Sequence, residues 1–211
     1  MSTLATPDST PQRLLAAAER IVLREGAHAI SVRRIATEAA ENPALVSYHF
    51  KGLEPLLTQL LELNVYAICD ARALQQAVAL RVRGKDSRLR ALIAAYMEPF
   101  WKTTAIWHAG PARTVVREVL PMLDRAFLGA TVARINASVA STAHAMADLL
   151  PHLTEDELLV RLRLLATAAD TLRERMESSG LYPLSTQGSE RKNEVLQSQL
   201  LKMSLGALKA R

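Results

Sequence analysis

The sequence predicts an all-α fold: three short helices at the N-terminus, followed by a larger helical domain. Three observations predict it. The abundant residues are Ala, Leu, Arg and Glu, all good helix formers. Glycine (8) and proline (9) are sparse in 211 residues and fall where helices would begin or end. Hydrophobic residues, 49% of the chain, recur at helical spacing, and no run of alternating β-branched residues demands a sheet. A chain of this length and apolar content buries a sizeable core in one or two domains, which excludes disorder as its main state.

Residues 1–9 are rich in Ser, Thr and Pro and predict a disordered tail. Thr10-Pro11 opens the first helix, because a Thr hydroxyl accepts a free backbone N–H and Pro suits the first helical position. Leu14, Leu15, Ala18, Ile21 and Val22 form its buried stripe, and Gly26 ends it. Ser31 caps a second, short helix whose inward residues are Val32, Ile35, Ala36 and Ala39. Asn42-Pro43 opens a third helix ending near Phe50, and Lys51-Gly52 is a turn. Residues 10–53 are therefore the outline of a helix-turn-helix unit.

Glu54-Pro55 begins a long helix reaching about residue 82, and Arg83-Gly84-Lys85-Asp86 breaks the chain before another that runs to about Trp101. Gly110-Pro111 is a further break. Residues 112–149 are helical, kinked or split at Pro121 and ended by Pro151. Thr154 with Glu157 is a capping box for a helix over about 154–179. The stretch SGLYPLSTQGS (179–189) is a loop, and a final helix covers about 190–208.

The net charge of +5 suits a nucleic-acid partner and equally an ordinary basic protein. One cysteine, Cys69, excludes an intramolecular disulfide or a thiolate metal cluster and fits a reducing cytoplasm. The N-terminus has no apolar signal-peptide core, and no apolar stretch is long and charge-free enough to span a bilayer, so a cytoplasmic location is expected. The five histidines (28, 49, 108, 144, 152) are scattered. With no nucleophile–base motif, Gly-rich phosphate loop or metal-ligand spacing, neither catalysis nor a bound metal or cofactor is expected.

A helix that enters the major groove presents small or hydrogen-bonding side chains near its N-terminus. On the third helix Pro43, Ala44, Ser47 and Tyr48 fall on the outer face, while Val46 and Phe50 look inward. Ser31, at a helix N-terminus, is placed to bind a phosphate. Arg33 and Arg34 either contact DNA or form a solvated face. His49 either contacts DNA or is a packed, hydrogen-bonded residue.

Residues 30–57, ISVRRIATEAAENPALVSYHFKGLEPLL, resemble the DNA-binding segment of the tetracycline-repressor (TetR) family of transcriptional regulators. The matching features are Gly26, Ser-Val-Arg-Arg-Ile-Ala at 31–36 and Asn-Pro-Ala-Leu-Val-x-Tyr-His-Phe at 42–50, and the resemblance is specific over residues 10–60. It implies a homodimeric, repressor-type protein that binds a double-stranded DNA operator through 10–53. Residues 54–211 would then bind a small-molecule effector and carry the dimer interface. By the same resemblance Arg33 reads a base, while Tyr48, His49 and Lys51 contact phosphates; Arg34 and Asn42 complete the expected interface. Three departures stand out. Ala40-Glu41 replaces the family's Gly-Val, which predicts a less regular turn or an exposed Glu41 repelling phosphate. Leu53 stands where a Lys is usual. With Glu38 and Glu41 balancing the local charge, a modest salt dependence of DNA binding is expected.

Most aromatic and sulfur residues of the second domain (Tyr66, Cys69, Tyr96, Met97, Phe100, Trp101, Trp107, Met122 and Phe127) are either core or the lining of an apolar cavity. Trp101, Trp107 and His108 flank a helix break, and Arg113 and Arg117 either neutralise an acidic ligand group or lie on the surface. Tyr66, Cys69, Met97, Phe100, Trp101, Trp107, His108, Arg113 and Arg117 are thus the candidate contacts of a mainly apolar effector. The helices over 154–179 and 190–208 carry stripes through Leu158, Leu162, Leu165, Ala169 and Leu172, and through Val195, Leu196, Leu200, Met203 and Leu208. These either pack within one subunit or, as the resemblance implies, pair two subunits. A helical protein-interaction adaptor without DNA binding is the rival, but it has no need of the 31–50 pattern.

Overall fold

The computed structural model describes residues 9–108, 110–178 and 189–210, with side chains except at 172–178 and 189–194. Residues 1–8 of the expected 1–9 tail and 179–188 of the expected 179–189 loop lie outside the described residues. Among the described residues there are nine α-helices and no strand. They are α1 (Thr10–Glu25), α2 (Val32–Ala39), α3 (Ala44–Phe50), α4 (Leu53–Ala79), α5 (Lys85–Lys102), α6 (Ala112–Val119), α7 (Gly129–Ala147), α8 (Glu155–Ser178) and α9 (Ser189–Lys209). The fold is all-α, as the composition predicts.

One cap differs from expectation. Ser9, expected in the tail, caps α1 in place of Thr10. Its hydroxyl accepts the Gln12 N–H (3.4 Å), and the Gln12 side chain accepts the Ser9 N–H (3.1 Å). A Gln three residues on completes that reciprocal pair, which wins over Thr10. The second capping box forms as expected: Glu157 accepts from Thr154 N–H at 2.8 Å, and Thr154 Oγ1 accepts from Glu157 N–H at 3.3 Å. Pro121 does split its stretch, with short 3-10 turns at Leu120–Met122 and Arg125–Phe127 between α6 and α7.

The chain divides into two compact units. One comprises residues 1–71 and 99–136, the other residues 72–98 and 137–211. The division between these units runs through α4. In the first unit Leu14 and Ile21 of α1, Ile35 of α2, Val46 and Phe50 of α3, Leu56, Leu57, Leu60 and Leu61 of α4, and Val115 and Val119 of α6 share one core. The start of α4 is thus continuous with the helix-turn-helix core.

The second unit buries Leu89, Leu92 and Ile93 of α5, Met146 of α7, and Leu158 and Leu162 of α8. Tyr96 is buried among them, and its hydroxyl donates to Leu162 O (3.0 Å). A buried phenol needs such a partner. The Arg72 guanidinium lies 4.5 Å from the Tyr96 ring centre and donates to Ser138 Oγ at 2.9 Å. Of the α8 stripe, Leu158, Leu162 and Ala169 are buried and Leu165 is half-buried, so these residues pack within the subunit; the Leu172 side chain lies outside the described residues. The outward apolar side chains are Val160 and Leu164 on α8, outside that stripe, and Val195 and Met203 of the expected α9 stripe, whose Leu200 and Leu208 are buried.

Candidate nucleic-acid interface

Ser31 is the extended N-cap of α2, and its Oγ accepts the Arg34 N–H at 3.3 Å. Its oxygen therefore serves the helix first, leaving the O–H as the donor for any phosphate. The α2–α3 turn is regular, contrary to the expectation drawn from Ala40-Glu41. Ala40 takes the left-handed conformation (φ 55°, ψ 41°) that Gly would adopt more easily. Its N–H reaches Thr37 O (3.1 Å), and the Glu41 N–H reaches Ala36 O (2.8 Å). This double closure is the Schellman pattern, which holds whether or not the residue is glycine. Asn42 Oδ1 then accepts the Ala44 N–H (2.8 Å) and starts α3. Lys51, also left-handed (φ 65°), ends it.

Burial sorts α3 into two edges. Val46 and Phe50 face the core, whereas Asn42, Pro43, Ala44, Ser47, Tyr48 and His49 are exposed. Tyr48 is 77% exposed, unusual for so large a ring. It stands edge-on to His49, with ring centres 4.9 Å apart. His49 is exposed rather than packed. Ser31, Arg33, Arg34 and Lys51 are exposed as well.

Glu25, Glu38 and Glu41 do not stand free beside this surface. Glu41 is half-buried and accepts from Arg13 Nε at 2.8 Å, so the exposed, phosphate-repelling Glu41 is not what forms. Glu38 accepts from Arg20 Nε (2.7 Å) and Arg24 (3.1 Å). Glu25 accepts from Arg24 (2.8 Å) and, through its other oxygen, from Arg34 (2.7 Å). Hydrogen bonds, first from Arg24 and then from Arg20, hold the Glu38 carboxyl below its ordinary pKa; Arg24 and then Arg34 do the same for Glu25. Arg33 and Lys51 remain as exposed cations that no acid holds among the described residues. The sequence alone does not show these pairings, although Arg20 and Arg24 at i, i+4 signal one basic face on α1.

A second feature that sequence reasoning misses lies behind the interface. Glu19, in the middle of the apolar stripe of α1, is fully buried. Its carboxylate accepts the backbone N–H groups of Ile106 (3.1 Å) and Trp107 (3.0 Å) and the Asn64 amide (3.5 Å). Burial pushes its pKa up, against the opposing pull of those N–H groups. Ile106, Trp107 and Gly110 thus lie so close to α1 that a Cβ at Gly110 would lie 2.6 Å from Leu23. Glu118 of α6 adds a bond from the Ala27 N–H (3.4 Å).

The candidate ligand residues are not gathered in one place. Cys69 belongs to the core of the first unit, with Trp107 packed against it. Phe100, Trp101 and His108 are half-buried in that unit, Arg113 is buried, and Arg117 pairs with Glu118 (3.0 Å). Trp101 Nε1 and His108 Nε2 are buried without a hydrogen-bond partner among the described residues. Desolvation, ahead of the Arg20 charge, lowers the His108 pKa. Tyr66 stands outward, with the Arg134 guanidinium 5.3 Å from its ring. Met97 is buried in the second unit and accepts the Ser204 hydroxyl at 3.5 Å. An open, mostly apolar groove of about 300 Å³ in that unit is lined by Gln75, Val78, Ala79, Val82, Ala91, Ala94, Ala95 and Glu98, and by none of the nine candidates. No group of His, Cys, Asp and Glu suited to a metal ion occurs among the described residues, and none of the described helices is long and apolar enough to cross a membrane.

Residues 14–60 match the model of the tetR family of bacterial regulatory proteins. No curated protein gives a significant sequence match. Two solved structures share the fold over nearly the whole chain. The TetR family transcriptional regulator PfmR from Thermus thermophilus is 16% identical, with 93% of this chain and 96% of that one covered, at a TM-score of 0.60. A transcriptional regulator from Rhodococcus sp. Rha1 is 20% identical, with 95% and 96% covered, at 0.59. The matched segment spans α1 to the start of α4, the same elements that enclose the helix-turn-helix core. The chain thus matches the tetR family model over its N-terminal module and shares the fold of these regulators over nearly its whole length.

Proposed function

We propose that the protein is a ligand-responsive repressor that binds a near-palindromic operator as a homodimer. The observation that carries this is the division of α3 into a buried edge, Val46 and Phe50, and an exposed edge of small and hydrogen-bonding residues, Pro43, Ala44, Ser47 and Tyr48. Such an edge fits base contacts in the major groove. Arg33 reads a base, and Ser31, Asn42, Tyr48, His49 and Lys51 position the module on phosphates. Arg34 joins them once released from Glu25.

The outward apolar side chains Val160, Leu164, Val195 and Met203 support dimerisation through α8 and α9, since exposed apolar faces on adjacent helices mark association surfaces. Twofold symmetry would set the recognition helices one DNA turn apart, roughly 34–36 Å, and make the operator symmetric. The effector is a mainly apolar small molecule. Trp101 Nε1 and His108 Nε2, each without a hydrogen-bond partner among the described residues, support polar groups on it. Such an effector lowers operator affinity only to the extent that it prefers the conformation with mis-spaced recognition helices; near-complete switching takes about a 10⁴-fold preference. Helix α4 supplies residues to both units and is the lever.

Selection of bound duplexes from a random pool by the purified protein tests the proposal. Enrichment of a symmetric site is expected. Recovery of no preferred sequence, or of an asymmetric single half-site bound by a monomer, contradicts it.

A further inference from the structure

We infer that Glu25 sets DNA specificity by standing in for a phosphate on Arg34, and so holds down affinity for DNA of arbitrary sequence. The inference rests on the use of α2 and α3 as the DNA-binding surface. Arg33 and Arg34 are neighbours in the first turn of α2, and both are exposed. Successive helical residues point about 100° apart, so the two guanidinium groups have different surroundings. No acid among the described residues holds Arg33. Arg34 Nη2 donates to Glu25 Oε2 at 2.7 Å.

Glu25 ends α1, and its second oxygen accepts two bonds from Arg24, at 2.9 and 2.8 Å. Arg24 also reaches Glu38 at 3.1 Å, so the carboxylate is anchored from behind while it faces Arg34. An anchored carboxylate offers a guanidinium the same charge-assisted bond as a phosphate oxygen. The other acid–arginine pairs differ in kind. Glu38 and Glu41 are held by Arg13, Arg20 and Arg24, all on α1, and brace α1 against α2 and the turn after it. Arg34 alone among these tied arginines stands in the first turn of α2, beside Ser31 and Arg33.

The Arg34 and Glu25 side chains are 48% and 30% exposed, so the pair is weak enough to exchange partners. Sequence-independent affinity comes almost wholly from phosphate neutralisation, and each engaged cation contributes about 0.9 to the slope of log K against log salt. Withholding Arg34 flattens that slope. A close-fitting site brings a phosphate near enough to displace Glu25; loose docking on arbitrary sequence does not.

The test is fluorescence anisotropy of the full chain on a duplex of arbitrary sequence across a salt series, with wild type, Glu25→Gln, Arg34→Gln and the double variant. Glu25→Gln is expected to tighten binding roughly two- to fivefold, the range of an exposed ion pair. The salt slope should steepen by about 0.9 per Arg34 engaged. In the Arg34→Gln background, Glu25→Gln should change neither quantity. A Glu25→Gln protein that melts like wild type and binds with unchanged affinity and slope overturns the inference alone. So does tightening that persists without Arg34, which would make Glu25 a simple repelling charge. Failure of the wild type to bind any duplex, symmetric or arbitrary, overturns the DNA-binding surface and this inference together.

Discussion

Ala40→Gly is expected to stabilise the protein although it removes a side chain. Ala40 sits at φ 55° and ψ 41°, and that left-handed conformation costs an L-residue about 1–2 kcal/mol. Glycine adopts it freely but loses more backbone entropy on folding, about 0.5–1 kcal/mol. Ala40 is exposed, so little packing goes with its methyl group. The difference leaves roughly 0.5–1 kcal/mol in favour of the variant. For a chain of this size that corresponds to a rise of about 1–4 °C in Tm. Circular-dichroism melts at one fixed protein concentration measure it, because the Tm of any dimer depends on concentration. A urea midpoint that rises at unchanged slope would locate the gain in stability rather than in the extent of unfolding. A Tm equal to or below that of wild type would refute the strain argument, and with it the claim that Ala40 occupies a glycine position at a cost.

Four further outcomes are expected. Lys51→Gly should act in opposite directions on two measurements: Tm rises because Lys51 is also left-handed at φ 65°, while the salt slope of DNA binding falls by about one for each phosphate that Lys51 neutralises. Arg33→Ala should weaken binding to the selected site by about 1–3 kcal/mol in a gel-shift titration, and an unchanged midpoint would remove Arg33 from base reading. Leu164→Arg should shift the species seen by light scattering from dimer to monomer and abolish cooperative operator binding; a persistent dimer would place the interface elsewhere. The pH dependence of the urea midpoint should carry two opposite signatures. The lowered carboxyls Glu25 and Glu38 contribute stability that is present above the ordinary carboxylate range and lost as pH falls through their depressed values. The raised carboxyl of Glu19 has the opposite sign: its contribution is present below the ordinary range and lost as pH rises through its elevated value. Glu38→Gln should therefore flatten the acid limb, and Glu19→Gln should remove the decline on the other side.

Much of this molecule is legible in its sequence, for a local reason. Helix starts and stops depend on residues within a few positions of each other. Thr154 with Glu157, Gly84, Pro121 and Asn42-Pro43 could therefore be assigned without knowing what packs against them. The outward and inward edges of α3 follow from helical period alone, as Val46 and Phe50 bear out. The all-α class and the helix-turn-helix outline come from the same two sources, spacing and caps.

What only the tertiary structure decided is which charges meet and which apolar stripe faces whom. Glu41 and Arg13 are far apart in sequence, as are Glu19 and the Ile106 and Trp107 amides, and no periodicity couples them. Composition counts an acid near a DNA-facing helix as a repelling charge; the fold turns Glu41 and Glu38 into braces and Glu25 into a partner for Arg34. The α8 stripe through Leu158 and Leu162 and the face through Val160 and Leu164 are both apolar in sequence. Only the packing of the unit buries the first and exposes the second, because a helix apolar on two sides has no local signal for which side meets the core.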